Sequence, residues 1–354
     1  MPPSPREKLQ LQAVEATGVL DESDSIADKL PEQAFIPDDR PLEIVWKNVV
    51  AFIILHFVAL YGLVLVFTSA KWQTSLYSFL LYQLGAFGIT GGAHRLWSHR
   101  AYKAKWPLKM ILVICQTLAH QNSVIEWSRD HRVHHKFQET DADPHNAKRG
   151  FFFSHMGWLM CKKHKEVKVK GKGIDMSDLY AEPLLRFQHK YFMFLMPIIC
   201  FILPTLTPMI FWGETFVNAY SLNIFRYVFC LHSTWLVNSA AHMWGSKPYD
   251  KYINPTENRF VSFFAIGEGW HNYHHTFPWD YKAAEFGRLN LSLTIINLFS
   301  KIGWAYDLKT VSKEMIKTRV LRSGDGSHEI WGWGDKDQTK EDYEAAVIIN
   351  RKEH

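Results

Sequence analysis

Hydrophobic positions in this chain are gathered into long uncharged runs. Residues 48–68 (NVVAFIILHFVALYGLVLVFT), 74–93 (TSLYSFLLYQLGAFGITGGA) and 191–212 (YFMFLMPIICFILPTLTPMIFW) carry no Asp, Glu, Lys or Arg, and 216–241 carries only Arg226. Each run is near the ~20 residues that a helix needs to cross a hydrocarbon layer. The pattern predicts an all-α integral membrane protein with four transmembrane helices. A charge within a span is costly and turns toward the bundle interior, so Arg226 needs a buried partner, which the sequence does not name.

Two shorter apolar stretches, 106–121 and 291–304, are too short to span comfortably. They read as embedded or membrane-surface helices. Pro107 suits the first turn of the earlier one. Gly85, Gly88, Gly91 and Gly92 end the second span; small residues there favour close helix approach. That helix is expected to run on through His94 and His99.

The spans organise the chain into three parts. Residues 1–41 hold nine Asp/Glu and four Lys/Arg with no apolar run. They are expected to be disordered and to contain no cleavable signal peptide. Residues 42–310 form the membrane domain, with a cytosolic helical cap made of 94–190 and 242–310. Residues 311–354 form a charged tail.

Mean hydropathy is −0.16, which conceals this segregation. Charge then orients the spans. The link between the first two holds only Lys71, the link near Gly213 and Glu214 holds no base, and residues 94–190 hold 18 Lys and Arg. The positive-inside rule puts 94–190 and both termini in the cytosol. The basic stretch from Lys162 to Lys172 is a solvated face or a phosphate-binding one. Four spans make nucleic acid an unsuitable partner. Cys115, Cys161, Cys200 and Cys230 have no CxxC spacing and read as reduced thiols.

The chemistry lies in histidines. His131, His134 and His135 stand at i, i+3 and i+4, and His271, His274 and His275 repeat the spacing. At about 100° per residue these positions share a helix face, so three imidazoles can converge on one point. His94 and His99 form a looser third cluster. His242, at the end of the fourth span and on one face with Asn238, is a ninth candidate. Neutral imidazole is a common transition-metal ligand. So many ligands exceed one ion's capacity and imply two. All fall on the cytosolic side, where the spans end. Iron is the best fit, since imidazole suits it and oxygen activation is a task it performs. Zinc hydrolysis fits less well, because no carboxylate is evidently placed beside these histidines. The adjoining apolar spans point to a lipid chain as the target.

The stretches GAHRLWSHR (92–100), RDHRVHHKF (129–137), DADPHN (141–146), RGFFFSH (149–155), WLVNSAAH (235–242) and GEGWHNYHH (267–275) resemble the membrane fatty acyl-CoA desaturases of the animal stearoyl-CoA (Δ9) type. The resemblance runs from about residue 40 to 325, and the tail 331–337 is similar to the insect branch. It implies one iron held by His94, His99, His131, His135 and His274. The second would be held by His134, His242, His271 and His275, with a water carried by Asn238. It implies acyl-CoA contacts at Asn48, Asn122, Arg129, Asp130, Lys162, Lys163 and Trp235. Lys162 replaces an arginine of the vertebrate pattern, which keeps charge but loses the planar fork. The acyl chain would enter a bent tunnel, closed by a bulky residue such as Tyr77, Leu81, Tyr82 or Leu84.

The implied reaction takes acyl-CoA, O2, two electrons and two protons to a cis-monounsaturated C16/C18 acyl-CoA and two waters, at the endoplasmic reticulum membrane. The electrons would come from cytochrome b5 and its NADH-dependent reductase. The chain has neither a GxGxxG fingerprint nor an HPGG segment, so an outside donor is required. A basic cytosolic face suits an acidic one. Two rivals remain: a desaturase of other regiospecificity (such as Δ11) or a hydroxylase, and a histidine-rich metal transporter. Transporters place ions near the midplane at broken helices, whereas these histidines stand at span ends.

Overall fold

The computed structural model describes residues 42–328 and 338–349. The expected disorder of 1–41 and the insect-like tail at 331–337 lie outside the described residues. The described chain is mostly helical, and its one sheet is the two-residue pairing of Lys103–Ala104 with Ala305–Tyr306.

The helices are α1 (Trp46–Thr68), α2 (Trp72–Phe87), α3 (Trp106–Ala119), α4 (Val124–Phe137), α5 (Phe151–His155), α6 (Lys165–Lys172), α7 (Ser177–Ala181), α8 (Pro183–Met196) and α9 (Leu203–Trp212). After them come α10 (Phe216–Asn238), α11 (Ala240–Met243), α12 (Arg259–Phe264), α13 (His271–Thr276), α14 (Leu291–Lys301), α15 (Lys313–Ser323) and α16 (Lys340–Ala345). A π-helical stretch, Gly88–Ser98, continues α2, and another, Pro197–Ile202, joins α8 to α9.

Among the described residues two helices are long and apolar enough to cross a membrane: Trp46–Thr68, and the continuous Pro183–Trp212. The latter starts ahead of the expected 191. The other two expected spans are also helices, α2 with its π extension and α10, but they carry more polar positions. For α10 the reason is burial. It packs against α1, α2 and α9, so Asn218, Ser221, Asn223, Arg226 and Ser233 are hidden within the bundle. A helix surrounded by others need not be apolar all round. The outer helices show the opposite face to their surroundings: Phe57, Phe67, Met193, Phe194 and Phe211 are each more than two-thirds exposed. Such an apolar belt marks a membrane protein.

Arg226 is 2% exposed, and its partners are carbonyls. It donates to Leu118 O and Cys200 O at 3.1 Å each, and to Asn223 Oδ1 at 2.8 and 3.1 Å. Cys200 O is available because Pro204, four residues on, has no N–H to return. Leu118 O is available because α3 ends there.

The two short links meet at one end of the bundle. Lys71 N donates to Glu214 Oε2 at 2.9 Å, and Thr74 Oγ1 donates to the same oxygen at 2.6 Å. The glycine-rich end of α2 packs closely against α3. A Cβ at Gly88 would stand 2.2 Å from Gln116 N. Packing, rather than room for a ligand, therefore accounts for Gly88. The helix extension stops at Ser98, one residue short of the expectation. His99 caps it, its N–H bonded to His94 O at 3.1 Å.

Candidate metal centre and substrate channel

The histidines reach the centre from four places. The π extension of α2 brings His94 and, as its capping residue, His99; α4 brings His131, His134 and His135, α11 brings His242, and α13 brings His271, His274 and His275. Helix α4 is started by a capping box, with Ser123 Oγ accepting from Glu126 N and Glu126 returning to Ser123 N. This fixes where its last turn presents the imidazoles.

The three histidines of α4 do not converge on one point, as their shared face first suggests. His131 and His135 join His94, His99 and His274. His134 joins His242, His271 and His275. Within each set the available ring nitrogens lie within 4.8 Å of one another. The i+3 position turns about 80° away from the mean direction of i and i+4, which is enough to serve a second centre. His134 also stands with Asp143 and His145 in a third grouping.

Three carboxylates orient the rings, and the sequence reading missed all three. Glu268 lies 2.9 Å from His94 Nδ1, Asp143 3.0 Å from His134 Nδ1, and Glu139 3.1 Å from His242 Nδ1. Asp143 and Glu139 fix the proton on Nδ1 of their rings and turn the Nε2 lone pair inward, and Glu268 stands within ion-pair reach of His94. The available signals were Glu268 in GEGWHN and Asp143 in DADPHN, both inside the motif stretches but apart from the histidines in sequence.

The inward nitrogens crowd each other. His274 Nε2 is 2.9 Å from His94 Nε2 and 3.0 Å from His135 Nε2. His271 Nε2 is 3.0 Å from His242 Nε2 and 3.1 Å from His275 Nε2. The Nδ1 atoms of His271 and His274 are buried without a partner among the described residues. With Glu139 holding the proton of His242 on Nδ1, its Nε2 presents only a lone pair to His271. A cation in each set resolves this crowding, so the donor sets fit two metal ions.

Electrostatics agrees. Burial, then the neighbouring rings, pushes His99, His131, His135, His271, His274 and His275 well below the usual imidazole pKa. They are neutral at pH 7, the state that ligates. Burial opposes the charge of Glu268, but Arg95 and His94 outweigh it and bring its pKa down to about 2.

Two cavities adjoin the histidines. A narrow one of about 50 Å³ is lined by His94, His131, His134 and His271 and by Ala86, Ile89, Val237 and Ala265. A larger one of about 220 Å³ is lined by Asn122, Asp130, Trp158 and Trp235. Trp127, His131, Thr234 and Asn238 line both.

Of the other expected contact residues, Asn48 donates to Leu159 O at 2.8 Å. Arg129 pairs with Asp130 at 3.0 Å, and Lys163 also pairs with Asp130. Lys162 pairs with Glu43 at 2.5 Å. Asn48, Arg129, Lys162 and Lys163 do not line this cavity. Of the four candidates for the channel end, Tyr82 is buried, bonding Phe264 O and lying 3.4 Å from Ser233 Oγ, whereas Leu84 is exposed. All four cysteines are free.

Comparison with known proteins gives the family. A fatty acid desaturase model matches residues 70–289. The chain is 60% identical over 348 residues to the acyl-CoA Delta-9 desaturase of Acheta domesticus, covering 95% of this chain and 97% of that protein. It is 60% identical over 314 residues to an acyl-CoA Delta12-desaturase of the same organism, covering 88% of each. It is 52% identical over 307 residues to stearoyl-CoA desaturase 2 of Mus musculus, covering 85% of this chain and 86% of that one. The chain therefore belongs to the fatty acid desaturase family. It is an oxidoreductase.

Proposed function

We propose that this enzyme is an acyl-CoA Δ9 desaturase that uses O2 to place a cis double bond in C16 and C18 acyl-CoA. The observation that carries this reading is the narrow cavity lined by histidines of both sets together with the apolar Ala86, Ile89, Val237 and Ala265. An alkyl chain held there has its methylenes against the metal-binding nitrogens and is excluded from water.

His94, His99, His131, His135 and His274 would hold one iron. His134, His242, His271 and His275 would hold the other, with Asn238 placed to carry a water. When bound, two irons would supply the activation of O2 that the removal of two hydrogens from an unactivated chain requires. The chain's own residues do the rest. Asp143 and Glu139 fix imidazole tautomers. Asn122, Asp130 and Trp235 line the wider cavity, which suits the thioester end. Asn48, Arg129, Lys162 and Lys163, which do not line it, would contact the coenzyme A moiety outside it. The likeness to a Delta-9 relative over 95% of the chain supports the position of the bond.

The electron donor fits cytochrome b5 with its NADH-dependent reductase, docking on the basic cytosolic face around α6. The setting is the endoplasmic reticulum membrane, crossed four times by α1, α2 with its extension, α8–α9 and α10. Both short links would lie on the lumenal side, and the histidines on the cytosolic one. The cap is built from 94–190 and 242–310.

A Delta12 relative of equal identity favours a second position for the bond. Expression in desaturase-deficient yeast, with the bond located by mass spectrometry of derivatised esters, separates the two. A cis bond at carbon 9 of saturated chains is expected. A bond at carbon 12 would keep the site and overturn the regiochemistry, and hydroxylated chains would overturn the reaction.

A further inference from the structure

Three successive residues, His120, Gln121 and Asn122, line the wider cavity of the channel. They can do so because the backbone leaves α3 by a sharp turn. His120 caps that helix in the left-handed region, at φ 46° and ψ 60°, with its N–H bonded to Thr117 O at 3.1 Å. Asn122 is left-handed too, at φ 67°. Residues other than glycine seldom adopt this conformation, and it clusters at turns and ligand clamps.

The imidazole of His120 is held in place but unpaired. Its ring stacks on that of Tyr227, with centroids 5.4 Å apart and planes at 22°, and meets Phe201 edge-on at 5.8 Å. Burial, then the charge of Arg226, pushes its pKa down to about 4, so the ring is neutral at pH 7. Among the described residues neither ring nitrogen has a hydrogen-bond partner, and of the two only Nδ1 is fully enclosed. An enclosed orphan N–H is rarer in folded proteins than an enclosed orphan acceptor. Nδ1 therefore carries the lone pair and Nε2 the proton. His120 is a half-buried part of the cavity wall with one donor to give.

Gln121 and Thr234 of the same wall are already paired. Gln121 donates to Thr234 Oγ1 at 2.8 Å and accepts from Trp127 Nε1 at 3.2 Å, and Thr234 donates to Cys230 O at 3.2 Å. Phe52, Tyr227 and Leu231 also line this cavity. An unpaired donor in such a wall selects an acceptor on the ligand. Trp127 and Thr234 line the narrow cavity as well. An alkyl chain that passes them toward the histidines leaves its thioester end in the wider cavity. The thioester carbonyl is the acceptor that every acyl-CoA brings there.

We propose that His120 donates from Nε2 to the thioester carbonyl of the bound acyl-CoA, and so fixes the atom from which the position of the new double bond is counted. This rests on the acyl-CoA reading above.

The test has two readouts. The first is the affinity of the iron-loaded enzyme, kept without electron donors so that nothing turns over, for two probes. These are stearoyl-CoA and the S-octadecyl thioether of coenzyme A, which lacks only the carbonyl oxygen. The wild type should bind the thioester about 5-fold more tightly, the scale of one hydrogen bond. His120→Phe keeps an aromatic ring on Tyr227 and should bind both probes alike. His120→Leu should do the same if His120→Phe fails to fold. The second readout is the product in desaturase-deficient yeast, where the variant should spread the bond over neighbouring carbons. A thioester preference that survives loss of the imidazole, no preference in the wild type, or a bond kept at a single carbon in the variant would overturn the assignment. Wild-type enzyme that binds neither probe would overturn the acyl-CoA reading itself, and this inference with it.

Discussion

The carboxylate of Glu268 lies 2.9 Å from His94 Nδ1, while its other oxygen takes two bonds from Arg95 at 2.8 and 3.1 Å. Arg95 is 1% exposed and is itself anchored to Asn290 Oδ1 and Tyr281 O. The metal-facing nitrogen of His94 is therefore aimed by a fixed chain of charges. Glu268→Gln keeps the shape but removes the charge, and the Arg95 guanidinium is left without its counter-ion. Metal affinity should fall about 10–100-fold, the usual cost of losing such an outer partner. Iron content against free iron measures it. Unchanged affinity would mean that His94 needs no orientation.

The pH dependence follows from burial of the rings. Six imidazoles have folded pKa values well below 6.5. Their unfolded value is near 6.5. In that interval the unfolded chain binds more protons, so stability is present above pH 6.5 and is lost as pH falls toward the folded values. The metal-free protein should show a steadily falling thermal midpoint below pH 6.5. A midpoint that rises on acidification would contradict the burial of neutral rings.

Asp130 pairs with Arg129 and Lys163 and lines the wider cavity. Among the described residues it makes no hydrogen bond or ion pair with His94, His134 or His242. Asp130→Ala should raise KM for acyl-CoA about 10-fold or more, on the scale of a lost charged hydrogen bond, with iron content unchanged. Iron loss at constant affinity would place it in the metal site instead.

Tyr82 stands between two spaces. It bonds across to Ser233, which lines the narrow cavity, and it also lines a larger apolar cavity of about 570 Å³ with Phe79, Phe225 and Phe229. Tyr82→Ala removes this partition. Product profiles should shift toward longer chains, with the double bond held at the same carbon. An unchanged profile would move the channel end elsewhere.

Much of this site was legible in the chain because its signals are local. The HxxHH spacing lies within single turns, so α4 and α13 present those rings as periodicity predicts. The uncharged runs marked α1 and α8–α9 for the same reason. What escaped depended on contacts distant in sequence. Glu139 meets His242 across 103 residues, and Arg226 meets Leu118 across 108. The splitting of one helix face between two sets was also invisible to spacing. It depends on α11 and α13 approaching α4 from another side, which no local pattern records. The polar character of α10 misleads any test based on its own composition, because its neighbours supply the apolar surface.

Iron content per chain is the most direct test of the account, measured by mass spectrometry of metals on purified protein of known concentration. Nine imidazoles in two convergent sets predict two irons per chain. That number should be lowered in His135→Ala and His275→Ala, with both variants still reaching the membrane. One iron or none in active wild-type protein, or zinc in its place, would contradict the two-centre reading on which the proposed reaction stands.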